Sequence, residues 1–186
     1  MASILLTAPA VEPLSHDDAK AFLRVEHDAE DDFIAALVAA ARLQVEAQTR
    51  RALIAQTWRL ILDRWPDDGR LPVRPGPLRD LVAARVYDVN NVAHAIDLQS
   101  FVIDTAASAI VFAPWALAVP GRLTAGIALD VSIGYGAVAA DVPEPLRQAI
   151  RLIVAHGYEY RGTGSAAAPL PSTAAALIAP YRMLSL

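Results

Sequence analysis

An α+β fold is predicted for this chain: a small helical bundle from N- and C-terminal helices, an inserted antiparallel β region and an extended C-terminal arm. Three observations predict it. Apolar residues recur with helical spacing near residues 29–51 and again near 143–161, the period changes to two in segments between them, and the pattern stops after Gly162. With 186 residues, 55% of them apolar, the chain can bury a core without covalent staples. The boundaries implied are 1–55 for the N-terminal helical part of the core, 56–141 for the β-rich insertion, 142–162 for the C-terminal core helix and 163–186 for the arm.

Ser15 followed by Asp17 and Asp18 has the chemistry of an N-cap with acids over the positive helix end, and Ala19, Phe22 and Leu23 then form a short apolar stripe. The acidic run from Glu26 to Asp32 leads into Phe33, Ile34, Leu37, Val38, Ala41 and Val45, which share one face of a long amphipathic helix from about Ala29 to Arg51. From Gln56 the period is two, with Trp58, Leu60 and Leu62 alternating until Pro66-Asp67-Asp68-Gly69 closes the strand with turn residues. Prolines at 75 and 77 remove amide donors and restrict their predecessors, so Val73 to Leu78 is an extended linker. Strands are predicted at Leu81 to Asp88, Ser100 to Asp104, Ala109 to Phe112 and Gly126 to Ile133. In the last, Ile127, Leu129, Val131 and Ile133 face a core, and Ala128, Asp130 and Ser132 face water. Gly134-Tyr135-Gly136 gives that strand a sharp exit. Asp141 and Glu144 have capping-box spacing before a second long helix, about Pro143 to Arg161, whose inward side carries Leu146, Ile150, Ile153, Val154 and Gly157, and Gly162 suits a left-handed cap.

Composition removes several function classes. There is no cysteine, which excludes a disulfide framework, a thiolate metal site and a cysteine nucleophile. No window offers the roughly 20 continuous apolar residues a bilayer requires. Met1 to Leu14 has no basic start and carries Pro9, Glu12 and Pro13, unlike a signal peptide, so cytoplasmic synthesis is expected. The net charge of −4 is unevenly spread: residues 1–32 hold eight acids against two bases, residues 50–85 eight arginines against four aspartates. Two faces of opposite sign are expected.

No motif carries catalytic chemistry. The N-terminal acids with His16 and His27 lack calcium-loop spacing and an H-E-x-x-H pair, and helix starts collect acids anyway. No metal or cofactor is therefore expected. His156 and Glu159, one turn apart, would be a base and its orienting carboxylate in a small hydrolase or ligand-binding domain. No G-x-S-x-G nucleophile accompanies them, and a packing role is the plainer reading. Gly162-Thr163-Gly164-Ser165 lacks a phosphate loop's lysine and follows a helix instead of opening one. The arginines between 50 and 85 sit in an acidic chain without interleaved stacking aromatics, so they read as a solvated face or a pairing face for acidic protein surface. The C-terminal segment ends in Leu177, Ile178, Tyr181, Met183, Leu184 and Leu186, an apolar tip that either folds back on its own core or docks on another chain.

Six blocks in order resemble the head-tail connector (adaptor) family of long-tailed bacteriophages and gene transfer agents: Val11-Glu12-Pro13-Leu14-Ser15 with the helix through Val25, Asp31 to Arg42, Thr49 to Leu60, Gly134-Tyr135-Gly136, Val142 to Ile150, and Leu177-Ile178-Ala179-Pro180-Tyr181-Arg182. The resemblance implies a non-enzymatic ring, typically of twelve subunits, beneath the portal protein of a filled capsid. It would carry the tail-side stopper or head-completion protein and leave a lumen for DNA. Such a particle is assembled in the bacterial cytoplasm. Portal contact carries over to Leu177, Ile178, Tyr181, Arg182 and Leu184. A closed ring needs two different complementary patches per subunit, for which Asp28, Asp31, Asp32, Arg50, Arg51 and Arg59 are the candidates. Connectors of this family are in part purely helical, and the strand-like region from Gln56 to Ile133 departs from that pattern.

Overall fold

The computed structural model describes residues 2–160 and 170–183. Two compact units share the chain: Met1–Pro9 with Ala55–Tyr135, and Ala10–Ile54 with Gly136–Leu186.

The first unit is β-rich. Strands β1 (Ala2–Thr7), β2 (Gln56–Leu62), β4 (Leu78–Tyr87), β5 (Ala93–Ala95) and β8 (Ile127–Ile133) form an antiparallel sheet in the order β1-β2-β8-β4-β5. A second sheet holds β3 (Arg70–Pro72), β7 (Ala109–Phe112) and β6 (Phe101–Asp104) in the order β3-β7-β6. Register sets the core: Leu60 lies opposite Leu129 and Leu62 opposite Ile127, so the alternating apolar residues of β2 and β8 meet on one face and are buried. Trp65, Phe101 and Phe112 pack as a ring cluster with centroids 5.1–6.0 Å apart. Ser108, in the left-handed region, closes a turn there: its hydroxyl accepts from the Leu78 N–H at 2.9 Å and donates to the Val73 carbonyl.

The opposite face of β8 is not wet at its centre. Ala128 and Asp130 are buried, because Arg59 of β2 and Arg85 of β4 lean over the Asp130 carboxylate from both sides at 2.6–2.9 Å. An alternating strand in the middle of a sheet is covered by its neighbours' long side chains, which the alternation alone does not reveal.

The second unit packs α1 (His16–Leu23), α2 (Asp31–Thr49), α3 (Glu144–Glu159) and α4 (Ser172–Ile178). Ser15 caps α1 by accepting from the Asp18 N–H at 3.1 Å. Helix α2 buries Ile34, Val38, Ala41 and Val45, and α3 buries Leu146, Ala149, Ile150, Ile153 and Val154. The capping box expected of Asp141 and Glu144 is not made at α3. Asp141 accepts instead from the Val138 N–H at 3.1 Å, and Glu144 in the first turn binds Arg147 and Arg151.

Strands β1, β3 and β5 and helix α4 are elements the sequence pattern does not announce. Residues 2–7, within the stretch predicted to be helical core, form an edge strand of the β unit. The arm is not simply extended: α4 packs on α3 with Ala174 and Ile178 buried. The cap expected at Gly162 lies outside the described residues.

Candidate assembly surfaces

Helix α2 carries opposite charges at its two ends. At its start, the Lys20 ammonium donates to Asp28 at 2.7 Å and to Asp31 at 2.8 Å, which holds the Asp31 carboxylate below the usual range and pushes the Lys20 ammonium up. His16 Nε2 lies 3.1 Å from the same Asp31 oxygen, outside hydrogen-bond geometry. Asp32 is exposed and makes no ion pair among the described residues. Past the far end, Arg50 adopts φ 55° and stands exposed, while Arg51 turns inward and donates to the Tyr181 carbonyl at 2.8 Å. Between them Arg42 binds Glu12 and Glu46 at 2.8 Å each. Burial pushes the Glu46 carboxyl up, opposed by the Leu53 N–H it accepts and by Arg42. Arg59, the remaining ring candidate, is committed to Asp130 inside the β unit.

Of the arm residues, Ile178 is fully buried in its own unit, Leu177 and Tyr181 are half-buried, and Arg182 is exposed and donates to Gln48 at 2.9 Å. Leu184 lies outside the described residues. The arm therefore has an inner side spent on its own helices and an outer side that is open.

His156 and Glu159 form no catalytic pair. The His156 ring lies against Tyr160 at 4.6 Å between centroids, and no hydrogen bond joins it to Glu159. Among the described residues no three His, Cys, Asp or Glu side chains gather as a metal site, and no helix is long and apolar enough to cross a membrane. Residues 113–125, to which no surface was assigned from the sequence, form a loop marked by Pro114, Pro120 and Gly121 in which Trp115, Val119 and Leu123 are left exposed.

No family model matches the chain, and no curated protein does. Among solved structures it is similar, at 26% identity over 100% of its length and 97% of each compared chain, to three chains of gene transfer agent particles. One is in the neck of an empty particle computed with C6 symmetry (TM-score 0.85), one in the virion of a native particle (0.84), and one in the neck of a native particle computed with C12 symmetry (0.73). The likeness of fold runs from end to end: this chain has the architecture of chains found in the neck and virion of gene transfer agent particles.

Proposed function

We propose that this chain is a non-enzymatic structural subunit of the neck of a phage-like particle, forming a ring of twelve copies between the portal and the tail-side stopper or head-completion protein. The observation that carries the reading is full-length similarity to chains of gene transfer agent necks. The C12 symmetry of one of those necks supports the copy number. Helix α2 fits the geometry of a head-to-tail ring, which needs two unlike patches on every subunit. Asp32 and Arg50 stand about 27 Å apart along it at 1.5 Å per residue, each exposed and free of ion pairs among the described residues. Such charges also suit the helix dipole; in a ring they gain a second use, facing each other across neighbouring copies. Asp28 and Asp31 are held by Lys20, Arg51 by the Tyr181 carbonyl, and Arg59 stabilises the β unit through Asp130.

Portal contact falls to the outer side of the arm, Leu177, Tyr181 and Arg182 with Leu184 beyond, while Ile178 holds α4 down. A net charge of −4 suits a conduit, because a lumen that neutralised many phosphates would hold DNA tightly. Assembly takes place in the bacterial cytoplasm and the product resides in the virion neck.

Deleting the chain from its particle should leave filled heads without tails, counted by electron microscopy; tailed particles in normal number would refute the reading. Asp32→Arg or Arg50→Asp alone should weaken every ring contact by up to about 1 kcal/mol, lowering tailed-particle yield. The double variant, which pairs swapped charges around the ring, should recover it. Equal yield from all three variants would remove α2 from the interface.

A further inference from the structure

We propose that a rigid apolar tip on the β unit, centred on Trp115, docks into an apolar cleft in the helical unit of the adjacent copy. The proposal rests on the ring reading above. Trp115, Val119 and Leu123, on the loop between β7 and β8, are 89%, 85% and 95% exposed, and Val89 on the neighbouring turn is 79% exposed. Scattered exposed apolar residues are ordinary, but four large ones on two adjoining loops mark a docking surface.

The loop is held in shape from beneath. Leu117 is buried, and Trp65 Nε1 donates to the Ala118 carbonyl at 2.9 Å. The Arg122 guanidinium lies 4.0 Å over the Tyr87 ring and donates to Asn91 Oδ1 and the Ala125 carbonyl. The Gly121 N–H donates to the Tyr87 carbonyl at 2.8 Å, so close to the Asp88–Val89 backbone that a Cβ would collide with it. A tip fixed in this way loses little conformational freedom on binding, and tryptophan is the residue most enriched where interfaces concentrate their energy.

The helical unit holds a cleft of about 370 Å³ lined by Val11, Leu14, Ala35, Val38, Val138 and Ala139, among others. Val11 and Val138 are themselves largely exposed. Knob and hole thus lie in different units of one polypeptide, the arrangement that a head-to-tail contact between identical copies uses. Charge agrees: Asp17 and Asp18 stand exposed beside the cleft-lining His16, and Arg64 stands exposed beside Trp65 at the root of the tip, none of them ion-paired among the described residues. Area agrees too. An aromatic side chain buries about 150–250 Å², against about 800 Å² per partner for a standard interface. The tip alone is too small for an isolated dimer and suits one half of a contact repeated around a closed ring.

The chain has no cysteine, so the contact can be read by cross-linking. Val119→Cys on the tip, which leaves Trp115 in place, and Val138→Cys at the cleft, both at exposed positions, are co-expressed as separate chains in particle-producing cells lacking the native copy, and the particles are treated with a short bis-maleimide. The expected result is an adduct of twice the 19.8 kDa chain mass, abundant with the mixture and weak with either variant alone. Necks that contain both chains but give no such adduct overturn the proposal, as does the tip cysteine joining a different neck protein. Tailed particles that contain neither chain overturn the ring reading itself. Trp115→Ala should lower tailed-particle yield about tenfold and Trp115→Phe should restore most of it, with thermal melting unchanged in both. Normal yield from Trp115→Ala would count against the tip.

Discussion

Replacing Asp130 by alanine is expected to destabilise the β unit by about 3 kcal/mol, the lower end of the cost of breaking a buried ion pair. Asp130 lies on the central strand and accepts two hydrogen bonds from Arg59 and one from Arg85, whose side chains are only about one-third exposed. Its removal leaves two adjacent cations facing one another across β8. The partly open guanidinium groups regain some water, which is why the lower end applies. All three tryptophans, Trp58, Trp65 and Trp115, belong to the β unit, so their fluorescence follows its unfolding in urea. Replacing the trio together by Leu at 130 and Met at 59 and 85 should recover most of the loss, because an apolar set of similar volume needs no desolvation. If the single variant unfolds at the native urea midpoint, the triad contributes nothing.

The sign of the pH dependence follows from the same geometry. Hydrogen bonding from Arg59, and then from Arg85, holds the Asp130 carboxyl below the ordinary range. Its contribution is fully present above the unfolded aspartate value of about 3.9 and is lost as pH falls through the lower folded value. The gap in stability between the native chain and Asp130→Ala should therefore be constant at neutral pH and close only in strong acid. Glu46 runs the other way: burial pushes its carboxyl up, so its share of stability is present at low pH and declines as pH rises through the raised folded value.

What could be read in advance, and what could not, divides along the range of the interactions. Helix α2 was legible because Ile34, Val38, Ala41 and Val45 repeat at helical spacing, and those four are the residues it buries. One face of β8 was legible by alternation. The burial of Asp130 was not, since the side chains covering it come from positions 45 and 71 residues away. Strand β1 has all six residues exposed and α4 buries only Ala174 and Ile178, so neither leaves a periodic trace. The assembly surfaces follow the same division. Acids and arginines at the ends of α2 were visible as charge runs, whereas the exposure of Trp115 depends on how Leu117, Ala118 and Arg122 anchor the loop around it.

Ile178→Ala should cost the helical unit about 3 kcal/mol, within the range for emptying a fully buried aliphatic site. The reason is that α4 is part of that unit's core: Ile178 and Ala174 are shielded, Arg51 donates to the Tyr181 carbonyl, and the Met183 N–H donates to the Thr49 carbonyl. A segment held at both its helix and its exit is not a free tether. The loss should appear in the far-ultraviolet circular dichroism transition, which follows the helices, while the tryptophan transition of the β unit stays in place. Arg182→Glu tests the outer side separately. Its side chain is exposed with one hydrogen bond to Gln48, so stability should change by no more than about 0.5 kcal/mol. Co-sedimentation with portal should fall if that side is the docking surface. Native portal binding by Arg182→Glu would take Arg182 out of the contact, and an unshifted helical transition in Ile178→Ala would mean that α4 is not needed to close the core.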